Sequence, residues 1–300
     1  MVYALGVDIG GTKIASVIID ENYKIINRYE VESITENKET MFDQVIKAID
    51  KVMQQANMKI TQISGMGIGV PGKVDRKNGI AVFQNNLPWE NFPIINRLSE
   101  HYNFTQIKID NDVHLAALAE WKISNLTKGA TFVYATVSTG ISCATIHDGE
   151  FLRGAGFAGE LGLLPVETDF TSNRIGRLEL VSSGPSIEEV ARERFGNLKV
   201  VTKDVFTKFY QEDKEAKLII QSAAKSIAHG LYSIICLLDP QKITIGGGVA
   251  NNNPILIELI QKYLSTYLLK EQESSLNRIG ISHFKGDSGV IGAGILGLGE

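Results

Sequence analysis

Cysteine is scarce. The 300 residues hold two, Cys143 and Cys236, far apart and outside any Cys-x-x-Cys pair, which excludes a disulfide framework and a zinc ribbon. Both read as small buried apolar side chains. Proline is also sparse, at 7 residues, and no stretch is rich enough in Pro, Ser or like charge to form a flexible linker or a disordered tail. There is no excess of positive charge: 30 Lys and Arg against 34 Asp and Glu give a net charge of -4. That leaves no basic field for a phosphate backbone and argues against nucleic acid as a partner. Met1 to Leu5 runs straight into a β-rich segment with neither a basic leader nor a long apolar run before it, so the expected location is the cytoplasm, with no membrane partner. No Gly-x-x-x-x-Gly-Lys-Ser/Thr occurs, which rules out a P-loop.

What remains is 44% hydrophobic and 21% charged, enough for a sizeable core and for two lobes. From Tyr3 to Val31 the pattern is strand, Gly-rich turn, strand, turn, strand. Phe42, Val45, Ile46, Ile49, Val52 and Met53 recur at helical spacing, so Glu39 to Ala56 reads as an amphipathic helix. A strand over Ile63 to Val70 ends at Pro71-Gly72. The opening pattern recurs at Thr131 to Leu152, with the turn Ser138-Thr139-Gly140 inside it, which suggests a duplicated lobe. Helical patterns follow around Ile187 to Phe195, Val205 to Tyr210 and Ala216 to Leu238. A strand, Lys242 to Ile245, leads to Gly246-Gly247-Gly248; Pro254 opens a helix, and Asp287 to Leu298 reads as a closing helix rich in Gly and Ala. The expected architecture is α/β, with two similar lobes facing each other across a cleft. The smaller lobe is expected over 1–112 with 287–300 joined to it, the larger over 113–286.

Of the Gly-x-Gly-x-x-Gly strings, Gly67 to Gly72 and Gly292 to Gly297 fail as dinucleotide sites. Gly67 to Gly72 contains Pro71 and leads into a turn-rich stretch rather than a helix, and Gly292 to Gly297 has no strand after it. Asp8-Ile9-Gly10-Gly11-Thr12-Lys13 differs, because an acid ends an apolar strand just before a Gly-Gly-Thr turn. Asp8 can hold hydrated Mg²⁺ while the turn and the Thr12 hydroxyl meet phosphate oxygens; an ordinary hairpin is the competing reading of the same string. Thr139-Gly140 is its counterpart in the second lobe.

Ile107 to Asp110 reads as a short strand, and Asn111-Asp112 opens a helix. Asp112 there is either a helix N-cap or the base that accepts the proton of a sugar hydroxyl during phosphoryl transfer, with Asn111 fixing the sugar; the two roles are compatible. Glu160, in a Gly-lined segment from Gly154 to Gly162, and Glu179, in Gly176-Arg177-Leu178-Glu179, are further carboxylates suited to vicinal hydroxyls. The alternative for each is a solvated surface charge.

Taken in order, these residues resemble the ROK family of bacterial sugar kinases and repressors nearly end to end. Asp8 to Lys13 is similar to its first phosphate motif, Gly69-Val70-Pro71-Gly72 to its next turn, and Asn111-Asp112 to its catalytic pair. Ser138-Thr139-Gly140-Ile141 resembles its second phosphate motif, Gly159-Glu160-Leu161-Gly162 and Gly176 to Glu179 its sugar-binding segments, and Gly246-Gly247-Gly248 its adenosine loop. The resemblance implies an actin-like, hexokinase-like fold, ATP with Mg²⁺ as donor, closure of the cleft on sugar, and commonly a homodimer. It implies Asp8, Gly10, Gly11, Thr12, Lys13, Thr139, Gly140, Gly247 and Gly248 for the nucleotide, and Asn86, Asn111, Asp112, Glu160 and Glu179 for the sugar.

Three departures stand out. Leu163 replaces a His that in the family binds zinc and sugar. Phe170, Ser172 and Arg177 occupy the positions of the family's zinc-binding cysteines, so no zinc is expected. Ser142-Cys143-Ala144 replaces a Gly-rich run after the second phosphate turn. The expected reaction is phosphorylation of glucose or a β-glucoside at its 6-hydroxyl, with fructokinase, allose kinase and N-acetylmannosamine kinase as alternatives. A sugar-sensing regulator is a different class; it would need a DNA-reading helix-turn-helix, for which there is no room before Asp8.

Overall fold

The computed structural model describes residues 1–84, 86–168 and 175–299. In chain order the first half holds β1 (Tyr3–Ile9), β2 (Lys13–Asp20), β3 (Ile25–Glu32), α1 (Lys38–Ala56), β4 (Gly65–Val70), β5 (Lys73–Asp75), β6 (Ile80–Phe83), β7 (Glu90–Phe92), α2 (Ile94–Tyr102), β8 (Ile107–Asn111) and α3 (Asp112–Lys122). There follow β9 (Thr131–Val137), β10 (Ile141–His147), β11 (Glu150–Phe151), β12 (Pro165–Glu167), β13 (Ile175–Arg177), α4 (Leu178–Ser182), α5 (Gly184–Phe195), α6 (Thr202–Tyr210) and α7 (Lys214–Leu238). The chain closes with β14 (Lys242–Gly246), α8 (Gly248–Asn252), α9 (Ile255–Leu264), β15 (Ile279–Ile281) and α10 (Ser288–Leu298).

Two compact units result, one of residues 1–123 with 287–300 and one of residues 124–286. The first includes α3, which the sequence reading gave to the other lobe. α3 stays with its own sheet because α10 packs directly on it: a Cβ on Gly292 would sit 1.8 Å from the Leu115 carbonyl oxygen. The other side of α10 lies equally close to β4, where a Cβ on Gly67 would be 1.9 Å from the Ala293 carbonyl oxygen. The Gly/Ala composition of the last helix is thus what lets it fit between a sheet and a helix.

Each unit carries a five-stranded sheet, ordered β3-β2-β1-β4-β8 in the first and β11-β10-β9-β14-β15 in the second. In both, an antiparallel meander leads to a parallel core of three strands, β1, β4, β8 or β9, β14, β15. The duplication visible in the sequence is therefore a duplication of topology, the ground plan of the actin-like fold. Parallel cores are buried on both faces, and β4 accordingly is buried along its whole length. α1 lays Met41, Phe42, Val45, Ile49 and Val52 on the first core. Asn37 caps that helix by accepting from the N–H groups of Glu39 and Thr40 at 3.0 and 2.9 Å. α7 supplies Ile219, Ile220, Ala223, Ala224, Ile227 and Leu231 to the second core.

The sequence reading overlooked α2 and the small sheet β5-β6-β7, whose short strands carry too few residues to show a period. It also placed both cysteines in the interior. Cys143 is buried, but Cys236, on the last turn of α7, is exposed.

Candidate active site

In each unit the glycine turns fall at the carboxyl ends of the parallel strands, the usual location of ligand sites in open α/β sheets. In the first unit Asp8 is next to last in β1 and pairs in register with Gly69 on β4. Asn111 ends β8, so Asp112 opens α3 at the same end of the sheet. The Gly10 N–H donates to the Lys13 carbonyl (2.9 Å), which closes the turn between β1 and β2, and the Ser33 hydroxyl, just after β3, braces it by donating to the Gly10 carbonyl (2.7 Å). Thr12 is exposed. Lys13 reaches Glu30 (2.9 Å), and Glu30 and Asp287 share Arg28. Asn86 lies against the turn, since a Cβ on Gly11 would be 2.8 Å from that of Asn86.

Asn111 is a working N-cap: its Oδ1 accepts from the N–H groups of Val113 (2.9 Å) and His114 (3.2 Å), while its Nδ2 donates to the Gly72 carbonyl (3.1 Å). The cap is therefore Asn111 and not Asp112, which is the first residue of α3. One Asp112 oxygen, Oδ1, accepts from the Val113 N–H at 2.9 Å. Burial pushes the Asp112 carboxyl up to about 6, against the lowering effect of the backbone N–H of Val113. Asp8 is pushed further, to about 7, first by burial, then by the charge of Asp112, with Lys13 opposing and Asp287 adding. Gly289, at the start of α10, crowds Asp8 too, since a Cβ there would lie 2.6 Å from its Oδ2. Two desolvated carboxylates with one cation nearby form a site that a divalent cation would relieve.

In the second unit, Ser138-Thr139-Gly140 joins β9 to β10, with the Ser138 N–H donating to the Gly140 carbonyl (2.9 Å). The Gly184 N–H, opening α5, donates to the Ser138 carbonyl (2.8 Å). Gly247 takes φ 89°, a conformation that suits glycine, and a Cβ there would meet the Val137 carbonyl oxygen at 2.5 Å. Gly248 then opens α8. Between these turns lies a cavity of about 710 Å³, lined by Ser138, Thr139, Gly184, Pro185, Glu188, Thr202, Lys203, Gly248, Val249, Asn252 and Asn253. A volume in this range suits a nucleoside phosphate.

Glu188, Thr202, Asn252 and Asn253 were missed in the sequence. Glu188 Oε1 accepts from the Thr202 N–H (2.9 Å) and hydroxyl (3.1 Å), and Oε2 from Arg192 (3.0 Å), so it fastens α6 to α5 at the cavity wall. The available signal was Ser183-Gly184-Pro185, a capped helix start with Pro in the first turn, one turn ahead of the helix as read from its apolar period.

Glu160 and Glu179 come together. The Glu160 carboxyl is raised by burial and then by the charge of Glu179, and its own charge helps burial hold the Cys143 thiol up at about 12. Glu160 as a whole is exposed, with only its carboxyl partly shielded from water, whereas Glu179 accepts from the Ile141 N–H (2.8 Å). Leu163 follows Glu160 closely and is 50% exposed. Arg177 is exposed at the end of β13, and Phe170 and Ser172 lie outside the described residues. Among the described residues no three His, Cys, Asp or Glu side chains are grouped to hold a metal. No described helix is long and apolar enough to cross a membrane.

Duplicated sheets with glycine turns at matching strand ends, an acid beside the first turn and a second acid opening a helix, define an actin-like, hexokinase-like protein. The ROK family model matches residues 4–300, and the chain belongs to the ROK family. It is 27% identical to a glucokinase of Halalkalibacterium halodurans, over 97% of this chain and 94% of that one. It is 30% identical to an N-acetyl-D-glucosamine kinase of Histophilus somni, over 98% of both. Among solved structures it is similar to the ROK hexokinase of Thermus thermophilus, with a TM-score of 0.80 and 27% identity over 99% of this chain and 98% of that one.

Proposed function

We propose that this protein is a carbohydrate kinase that transfers the γ-phosphoryl group of ATP to a hexose hydroxyl, with the 6-hydroxyl of glucose or of a β-glucoside as its preferred acceptor. The observation that carries the reading is the pair Asp8 and Asp112, two desolvated carboxylates at the carboxyl ends of β1 and β8 beside a glycine phosphate turn. Asp112 is the proton acceptor: as the hydroxyl oxygen bonds to phosphorus and the bond to the β-phosphate bridging oxygen breaks, the hydroxyl proton passes to Asp112 Oδ2. Its Oδ1 is kept in place by the Val113 N–H, so one oxygen orients and the other reacts. A carboxyl held near 6 is a better proton acceptor than a solvated aspartate and still ionised at neutral pH.

Asp8 is the residue that would hold Mg²⁺, through water, and that ion supplies charge neutralisation on the phosphates. Gly10, Gly11, Thr12 and Lys13 on one turn, and Thr139 and Gly140 on the other, are assigned to phosphate oxygens; Gly247 and Gly248 border the cavity assigned to the nucleoside. Asn111 contributes mainly by capping α3, since its Oδ1 and one N–H are already engaged. Asn86, Glu160 and Glu179 are assigned to sugar hydroxyls. A homodimer is the assembly we expect.

The preference for a β-glucoside rests on Leu163. An imidazole there would offer hydrogen bonds to a hydroxyl; a half-exposed leucine offers none and presents apolar surface to an aglycone. The similarity to an N-acetyl-D-glucosamine kinase supports an N-acetylhexosamine as second reading. Specificity constants for cellobiose, an aryl β-glucoside, glucose, N-acetylglucosamine and N-acetylmannosamine separate these. The β-glucosides should be used at least as well as glucose; turnover of the unsubstituted or N-acetylated monosaccharides alone would refute the argument from Leu163.

A further inference from the structure

Glu179 makes a contact that recognition of a sugar does not require. It is the second residue of α4, and its main chain is fastened from three sides. The preceding Leu178 is wholly buried and donates its N–H to the Leu164 carbonyl (2.9 Å), while the Glu179 carbonyl accepts from the Ser183 N–H (3.1 Å) and the Ser186 hydroxyl (2.9 Å). From this base the side chain runs to the Ser138-Thr139-Gly140 turn, where Oε2 accepts from the Ile141 N–H at 2.8 Å. The turn is shaped to receive it. A Cβ on Gly140 would fall 2.5 Å from that same oxygen, and one on Gly162 would fall 2.9 Å from the Glu179 Cβ. Gly140 lacks a positive φ, so the carboxylate is what a side chain at this position would meet.

We infer that Glu179 is a positioning residue for the second phosphate turn as well as a sugar ligand, so that one carboxylate joins acceptor recognition to phosphate recognition within the second unit. The inference rests on the sugar-kinase reading above. A carboxylate has two oxygens; Oε2 holds the turn, which leaves Oε1 for a hydroxyl. A hydrogen bond to an ionised acceptor is among the stronger polar contacts a backbone N–H can make. It sets the first residue of β10 immediately after the phosphate turn, and the turn is fixed on its other side by the Gly184 N–H on the Ser138 carbonyl (2.8 Å). Glu160, close enough to feel the charge of Glu179, makes no such link among the described residues and is the natural control.

The test is calorimetric titration of the sugar-free 300-residue chain with Mg²⁺ and a non-hydrolysable ATP analogue, beside sugar kinetics, for wild type and three variants. Glu179→Ala should weaken the nucleotide by about fivefold or more, since the turn loses a charge-assisted tie. Glu179→Gln keeps an oxygen for the Ile141 N–H and should stay within about twofold of wild type for nucleotide while losing sugar efficiency. Glu160→Ala should lose sugar efficiency only. Where Glu179→Ala fails to fold, Glu179→Asp serves the same comparison: it keeps the charge but is too short to reach, and should weaken the nucleotide as alanine would. Wild-type nucleotide affinity in Glu179→Ala with impaired sugar use overturns the inference and leaves the sugar site standing. Unimpaired sugar use in both Glu179→Ala and Glu179→Gln removes the residue from the sugar site and the inference with it. Equal nucleotide weakening by Glu160→Ala also overturns it, because the effect would then not depend on the tie.

Discussion

An acid held above its solution pKa makes the folded state less stable, and this gives a prediction that turns on sign. Asp112 sits near 6 against an ordinary 3.8 because burial disfavours its charge. Between those values the folded protein binds more protons than the unfolded chain, so stability falls as pH rises through that window, and the full cost is present above about 6. At about 1.4 kcal/mol per pH unit, the displacement corresponds to roughly 3 kcal/mol; partial contact of the side chain with solvent trims the measurable part to about 1–2 kcal/mol. Asp112→Asn keeps the shape and keeps an oxygen for the Val113 N–H while removing the charge. Ligand-free, with chelator present, the variant should melt roughly 3–6 °C above wild type at pH 7.5, and the difference should vanish near pH 4. Thermal or urea unfolding at the two pH values reads this directly. A variant equal to or less stable than wild type at pH 7.5, or a gain that persists unchanged at pH 4, would refute the reasoning. The gain in stability with a loss of turnover would mark Asp112 as a residue retained for chemistry.

Asp8→Asn should raise the magnesium concentration needed for half-maximal velocity, and an unchanged magnesium titration would remove Asp8 from metal positioning. The kcat/KM profile should fall on the acid side, with a midpoint between pH about 6 and about 7, as Asp112 and Asp8 take up protons; because each feels the other, the midpoint belongs to the pair, and a profile flat down to pH 5 would contradict it. Gly140→Ala should lower efficiency toward sugar by about tenfold or more through displacement of Glu179, and wild-type kinetics would show that the turn yields instead. Purified protein should contain no stoichiometric zinc, and its melting temperature should survive strong chelation; unfolding on chelator would overturn this.

Much of this site was legible in the sequence because its parts are local. An acid ending an apolar run before Gly10-Gly11, an Asn-Asp pair at a strand-to-helix corner, and a second strand-turn-strand at Thr131 to Leu152 each show within about a dozen residues. The cavity beside Thr139 and Gly248 was not legible, because Glu188 and Thr202 meet only when α5 and α6 pack together and neither belongs to a short motif. The tie from Glu179 to Ile141 spans 38 positions, beyond any periodicity. The boundary between units was misplaced by the length of α3 because a helix's allegiance is settled by what it packs on, here the glycines of α10. Cys236 was read as buried because cysteine usually is, and its place on the last, solvent-facing turn of α7 is a tertiary fact.

In the mechanism proposed above, this chain moves a phosphoryl group from ATP to a sugar with Asp112 as proton acceptor. Sugar-dependent ADP release, followed for wild type and Asp112→Asn across the same panel of glucose, β-glucosides and N-acetylhexosamines, tests it in one experiment. The expected outcome is release that depends on sugar and magnesium in wild type, a fall in turnover of about a hundredfold or more in the variant, and nucleotide and sugar affinities in the variant close to those of wild type. Sugar-independent release alone in wild type, or turnover in Asp112→Asn within a few-fold of wild type, would contradict it.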